Sequence, residues 1–468
     1  SKPPPYEYGC ELFVKLKFGI HKAFRKEVGK VETLISNVTV VTMNERMDVL
    51  FGGYIGVDGG KITYIGKQPP KEQPATIVDG TGMVAMPGLV NCHTHLATTV
   101  LRNLLDDAPN AEALEELLKK ESKLDSRSAK ASALLGIAEC LRFGITSVSD
   151  LYYYPEATAE AVAQSGIKAN LALSSYRFID ENEEFDFETD EQCRELCRLA
   201  EKWHGYDDGR IQIDAGLYAE YISNHKLWEG LAAFAREKGL GMQLHLSQTE
   251  QEAEDCAERT GLYPGELLNC HGIFDVPVTA ADCAALTDEE HALLGKKQLT
   301  AVALPIAKAK SGKKSLSVLP TVKAGINVAL GTDGAVECGN LDMFEVMRAL
   351  ALTERVAGKD ASALPAQAVL MMATVCGARA QQRQESAGML KEGMDADIIL
   401  VDFSAPHLMP CHDVMNALVF SAKGGDVAMT MVRGKILYQN GIFPTIDLKE
   451  VVEEITGYAM QRLFSPEE

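Results

Sequence analysis

The pattern of apolar and polar positions divides the chain into three kinds of text. From residue 31 it reads as short strands: 33–41 and 54–57 are apolar and β-branched, Asp58-Gly59-Gly60 is a turn, and 61–65 alternates as a partner strand. Residues 76–78 and 83–86 add two more strands around Asp79-Gly80, and the apolar run 83–90 continues towards a pair of histidines. The middle of the chain is regular. Apolar runs recur at 144–149, 168–173, 211–215, 241–246, 278–283, 299–304 and 326–331, separated by amphipathic segments such as 127–143, 190–204, 226–238 and 341–356. With the run that ends at the histidines, these make eight β/α units. Parallel strands joined by helical crossovers are the expected result, and that number favours a closed (β/α)₈ TIM-type barrel over an open sheet. After Ala387 short strands return at 397–401, 427–432 and 435–437, with turns at Gly434 and Asn440-Gly441.

A chain that opens and closes with β segments around a barrel brings those segments together. The expected organisation is an N-terminal arm (1–30), a composite β-sandwich from 31–89 and 388–447, a barrel over 90–387 and a C-terminal helix over 448–468. The arm stands apart, with Phe13, Leu16, Ile20 and Phe24 at helical spacing among Lys15, Lys17, Lys22, Arg25 and Lys26. It reads either as a basic amphipathic helix that touches a membrane or partner, or as an arm packed on its own body or a second subunit. The acidic remainder of the chain favours the second.

Composition narrows the class. The 468 residues are 46% hydrophobic and 24% charged, as in an ordinary globular protein of two or three domains. A net charge of −20 argues against nucleic acid or an anionic membrane as the main partner. Eleven scattered cysteines, an odd number without a framework, fit reduced thiols in a cytoplasm. No apolar run is long enough for a membrane-spanning helix, and no signal peptide is recognisable. The expected partners are a small-molecule substrate and a second copy of the chain in a homodimer.

In a barrel the chemistry sits at the C-terminal ends of the strands. The first strand ends in Asn91-Cys92-His93-Thr94-His95, which presents two imidazoles to one side. The fifth ends in His245 and the eighth in Asp333. Three imidazoles and a carboxylate suit one Zn²⁺, or Fe²⁺ or Mn²⁺. A lone histidine at a strand end is usually a hydrogen-bonded surface residue; four such residues on neighbouring ends are poorly explained by chance.

These residues also carry a resemblance. Pro87-Gly88-Leu89-Val90-Asn91-Cys92-His93-Thr94-His95, His245-Leu246-Ser247-Gln248-Thr249 and Ala329-Leu330-Gly331-Thr332-Asp333-Gly334 resemble the amidohydrolase superfamily. Within it the chain looks most like the methylthioadenosine/S-adenosylhomocysteine deaminase and chlorohydrolase branch, supported by Asn340-Leu341-Asp342-Met343-Phe344-Glu345 and by the Gly388 to Asp397 stretch. The resemblance implies that a metal lowers the pKa of water and that Asp333 binds the metal and takes the water's proton. It also implies a glutamate three residues after the strand-five histidine as proton carrier, and a strand-six histidine steadying the attacked centre. His407 and His412 match side-domain text and read as structural.

At those last two places the chain departs from the pattern. Gln248 stands for the glutamate and Asp282 for the histidine. The family's strand-four Pro-His-Ala-Pro-Tyr stretch is here Leu217-Tyr218-Ala219-Glu220-Tyr221, and its strand-seven His-Asn-Pro is Ala303-Leu304-Pro305, so Tyr218, Glu220 and Leu304 occupy the substrate-contact positions. The branch's substrate-loop tryptophan is missing, since Trp203 and Trp228 lie elsewhere. An amide cannot give up a proton at neutral pH. Two functions follow: a metal-dependent hydrolase of altered specificity, with Asp282 or Glu220 as a new proton carrier, or an impaired member kept for binding or structure. Contacts of Asp282 separate them. Reaching the metal favours the enzyme; pairing with Lys308 or Lys310 across a filled mouth favours binding.

Overall fold

The computed structural model describes residues 31–104, 106–107, 111–179 and 183–465; the N-terminal arm expected over 1–30 lies outside the described residues. Among the described residues sixteen strands fall into two sheets of eight. The side sheet takes β1 (Thr33–Val41), β2 (Val49–Asp58), β3 (Lys61–Gly66), β4 (Thr76–Asp79) and β5 (Met83–Pro87) from the front of the chain. The barrel takes β6 (Leu89–Thr94), β7 (Ile145–Tyr152), β8 (Lys168–Leu173), β9 (Ile211–Leu217), β10 (Met242–Leu246), β11 (Val278–Asp282), β12 (Leu299–Ala303) and β13 (Asn327–Leu330). The side sheet is completed by β14 (Ile398–Asp402), β15 (Val427–Val432) and β16 (Lys435–Gln439).

The two ends of the chain meet where β14 pairs antiparallel with β5, Leu400 opposite Ala85. Alternation along β14 shows how the sheet is used. Ile398 and Leu400 join Val38, Ile55 and Met431 in the sheet's own core, while Ile399 and Val401 face the barrel core. The apolar run 83–90 is therefore two strands in two sheets. Pro87 has no N–H to continue the ladder, and at Gly88 a Cβ would lie 2.1 Å from Thr146 Cγ2, so only glycine passes the crossing.

All eight barrel strands are parallel neighbours in chain order. The seam between β13 and β6 is closed by Thr332 N donating to Asn91 Oδ1 (3.0 Å) and Asp333 N donating to His93 O (3.0 Å). The crossover helices Ser126–Arg142, Glu191–Trp203, His225–Lys238 and Met343–Gly358 lie where periodicity predicts them. The C-terminal helical pieces Leu448–Glu454 and Met460–Phe464 dock on the barrel: Arg127 binds Glu454 and Tyr458 donates to Asp125 (2.6 Å). Among the described residues no helix is long and apolar enough to cross a membrane, and all ten cysteines are free thiols.

Candidate metal centre

The strand ends of β6, β10 and β13 bring His93, His95, His245 and Asp333 to one point. The three histidines offer ligand nitrogens that all lie within 4.8 Å of one another. Asp333 Oδ1 is 3.2 Å from His95 Nε2 and 3.6 Å from His93 Nε2. Two of the rings are oriented from behind. His95 Nδ1 donates to Leu151 O (2.7 Å) and His245 Nδ1 donates to Tyr218 O (2.9 Å), which leaves each Nε2 lone pair facing inwards. His93 Nε2 is buried without a hydrogen-bond partner. An orphaned buried nitrogen is costly unless something fills its place, and the donor set (three neutral imidazoles and one carboxylate) fits a divalent cation.

The electrostatics agree. Burial lowers His93 well below the usual imidazole value and lowers His245 to about 4, with His95 adding to both. Burial alone would also lower His95 and raise Asp333. Their mutual contact outweighs it, raising His95 to about 10 and holding the Asp333 carboxyl well below its usual range. A divalent ion would take the place of the proton that His95 holds against Asp333, which makes that imidazole a neutral ligand.

Backbone strain is present at the mouth. Ser247 (φ 46°), Asp282 (φ 77°), Cys283 (φ 50°) and Asp333 (φ 69°) are left-handed non-glycine residues at the ends of three strands. Such angles cost on the order of 1–3 kcal/mol each and persist where the surroundings over-determine them. Gly331 shows how tight the turn is: a Cβ there would lie 2.9 Å from His93 N and O.

The remaining predicted positions fall into different places. Gln248 Nε2 donates to the Tyr221 hydroxyl (3.0 Å), and its backbone N donates to Glu252 Oε2 (2.8 Å). The Tyr218 ring lies 5.0 Å from that of His245, so Tyr218 orients this ligand through its carbonyl and flanks it with its ring. Leu304 is buried in the inner cluster with Val90, Cys92, Ala281 and Val302. Both strand-end carboxylates considered as proton carriers are held in ion pairs. Glu220, offered as a proton carrier, is buried and held by Arg259 Nη2 at 2.6 Å, because the helix Glu250–Thr260 carries that guanidinium over the end of β9. Asp282 forms an ion pair with Lys308, the contact that the sequence attaches to a binding role, because the helix Pro305–Lys310 folds back over β11. Trp203 donates to Glu156 and Trp228 to Ser223, so both serve packing.

Two residues near the cage carry no expectation from the sequence. Asp150 accepts from Leu96 N (2.6 Å), fixes the backbone after His95, and is raised to about 6 by burial. Glu337 lies one helical turn after Asp333. Its Oε2 is shut from solvent without a hydrogen bond, and burial with Asp333 nearby raises it to about 7. An acid at a strand end or four residues past a ligand is a usable signal for both.

Comparison with known proteins matches this geometry. The model of the amidohydrolase family matches residues 84–437. A 5-methylthioadenosine/S-adenosylhomocysteine deaminase of Thermoanaerobacter pseudethanolicus is 34% identical, over 90% of this chain and 97% of its own. A 5'-deoxyadenosine deaminase of Methanosarcina mazei is 38% identical, over 90% and 96%. Among solved structures, an adenosine deaminase from Xanthomonas campestris with bound zinc superposes with a TM-score of 0.86 at 26% identity, covering 93% of this chain and 99% of that one. The atrazine chlorohydrolase of Arthrobacter aurescens, complexed with zinc, shares the fold at a TM-score of 0.83 and 24% identity, covering 91% and 100%.

Proposed function

The chain belongs to the amidohydrolase family, and on that premise we propose a metal-dependent hydrolase of a small heterocyclic substrate, acting on a C–N bond or a similar leaving group with altered specificity. The observation that carries the reading is the cage itself: two histidines spend Nδ1 on carbonyls, and a third keeps a buried, unpartnered Nε2 beside Asp333. His93, His95, His245 and Asp333 would hold the ion, zinc first and iron or manganese as alternatives. When bound it would acidify water and polarise the attacked centre. Asp333 would accept the water's proton. Gln248 can orient a substrate by hydrogen bonds but cannot protonate it, so a leaving group that needs no proton suits this site better than ammonia. Free thiols and a strongly acidic surface support a cytoplasmic setting, and homodimeric assembly belongs to the same reading.

The second reading is a binding or structural protein built on the same cage. The Asp282–Lys308 ion pair favours it, as does the Gln248 amide, engaged with Tyr221 where a proton carrier is needed. Metal analysis of the purified chain, paired with a panel of adenosine-type and chlorinated heterocycles, separates the two. The hydrolase reading expects about one ion per chain and turnover of at least one compound. A fully loaded protein that turns over none belongs to the second.

A further inference from the structure

The Asp282–Lys308 pair gains another meaning from where it lies. Asp282 closes β11 in a left-handed conformation, next to the residue in register with His245 on β10. Lys308 reaches it from the helix after β12, and the two side chains are only 2% and 9% exposed. Stability alone does not account for it. Two charges taken out of water repay their desolvation poorly, and apolar residues of similar volume commonly serve a core as well.

We propose that Lys308 is a catalytic residue, held by Asp282 as a positioning residue, whose ammonium steadies the negative charge that develops on the attacked substrate. This rests on the hydrolase reading. Addition of water to a ring carbon moves an electron pair onto the adjacent ring nitrogen, and a fixed cation stabilises that charge without having to transfer a proton. A histidine at position 282 would do the same from β11. Here the charge comes from the next strand's helix, and the strand-end carboxylate has become its anchor.

The test uses the full chain loaded with cobalt and titrated with inorganic azide, followed by visible absorption. Lys308→Met should weaken azide binding about tenfold or more, while Lys308→Arg keeps most of it. Lys314→Met, which removes a surface lysine paired with Glu250, should change nothing. Asp282→Asn should lose part of the affinity and Asp282→Glu regain it. Because Lys308→Met leaves a buried carboxylate unpaired, the double variant Asp282→Asn with Lys308→Met is measured as well; it should fold and bind azide as weakly as the single variant. Wild-type azide affinity in the folded double variant, or no azide binding by the wild-type protein, overturns the proposal. Absence of turnover with the azide differences intact sinks the hydrolase reading instead.

Discussion

Lys168 Nζ, at the start of β8, lies 2.6 Å from Asp395 Oδ2 in the segment that leads into β14, and it also binds Asp397. The ammonium is 1% exposed, and Lys61 of the side sheet reaches the same Asp395 carboxylate. This buried ion cluster ties barrel to side domain.

Lys168→Met should therefore cost about 3–5 kcal/mol, because Asp397 loses its ammonium and Asp395 keeps only Lys61. The urea midpoint is the measurement. Burial alone would raise Asp395, but Lys168 outweighs it and holds the carboxyl below its ordinary 3.8. A depressed folded value means the contribution is present above about pH 4 and is lost as pH falls through the folded value. The wild type should lose this increment on acidification, and Lys168→Met should show little of that loss.

His245→Ala should lose the ion while keeping the fold. The barrel core does not depend on this imidazole, whereas a cage reduced to His93, His95 and Asp333 binds a divalent cation far more weakly. Elemental analysis should fall from about one ion per chain to well below it, with far-UV circular dichroism unchanged. Retention of a full equivalent would show that the ion is held elsewhere.

The cage was legible because its ligands end apolar runs, and a parallel barrel turns such ends into one mouth. His93, His95, His245 and Asp333 each follow a run of this kind. Asp282 was legible as a departure and Lys308 as one of its two candidate partners; which lysine it takes depends on how a six-residue helix packs. Glu337 was hidden for a similar reason: Ala335–Cys338 is too short to show periodicity. Glu220 failed because a carboxylate at a strand end looks the same whether it meets substrate or, as here, Arg259 from the next crossover. The break at Gly88 depends on contact with Thr146, which lies far along the chain on the next barrel strand.

Glu252 provides a pH signature beside the mouth. Burial, with Asp282 adding to it, raises this carboxyl from 4.5 to about 7. A raised folded value means that the folded state holds the proton more tightly. The contribution is fully present below about pH 4.5 and is lost as pH rises through 7. Discounted for partial solvent contact, it amounts to on the order of 1–2 kcal/mol. Chemical denaturation at pH 5 and pH 8 should show this decline in the wild type and a flatter profile in Glu252→Gln. Equal slopes would mean that Glu252 is ionised at neutral pH in the folded chain.

The sharpest prediction concerns the substrates named for the relatives. Deamination of an adenosine ring requires a proton on the ring nitrogen before ammonia leaves, and Gln248 has none to give. Loss of a general acid costs about 10²–10⁴-fold. The unmodified chain should therefore deaminate methylthioadenosine, S-adenosylhomocysteine and 5'-deoxyadenosine very weakly or not at all. Gln248→Glu should recover part of the rate, since Tyr221 and the backbone bond to Glu252 already hold position 248 at the mouth. Adding Asp282→His alone should not help, because it strands the buried Lys308 charge; the histidine has to be introduced together with Lys308→Asn. Steady-state ammonia release from the three proteins is the measurement, with the ordering wild type, then Gln248→Glu, then the triple variant. Robust turnover of any of these nucleosides by the unmodified protein would mean that another group supplies the proton. Glu337, shut from solvent beside Asp333 and raised to about 7, is then the first residue to replace.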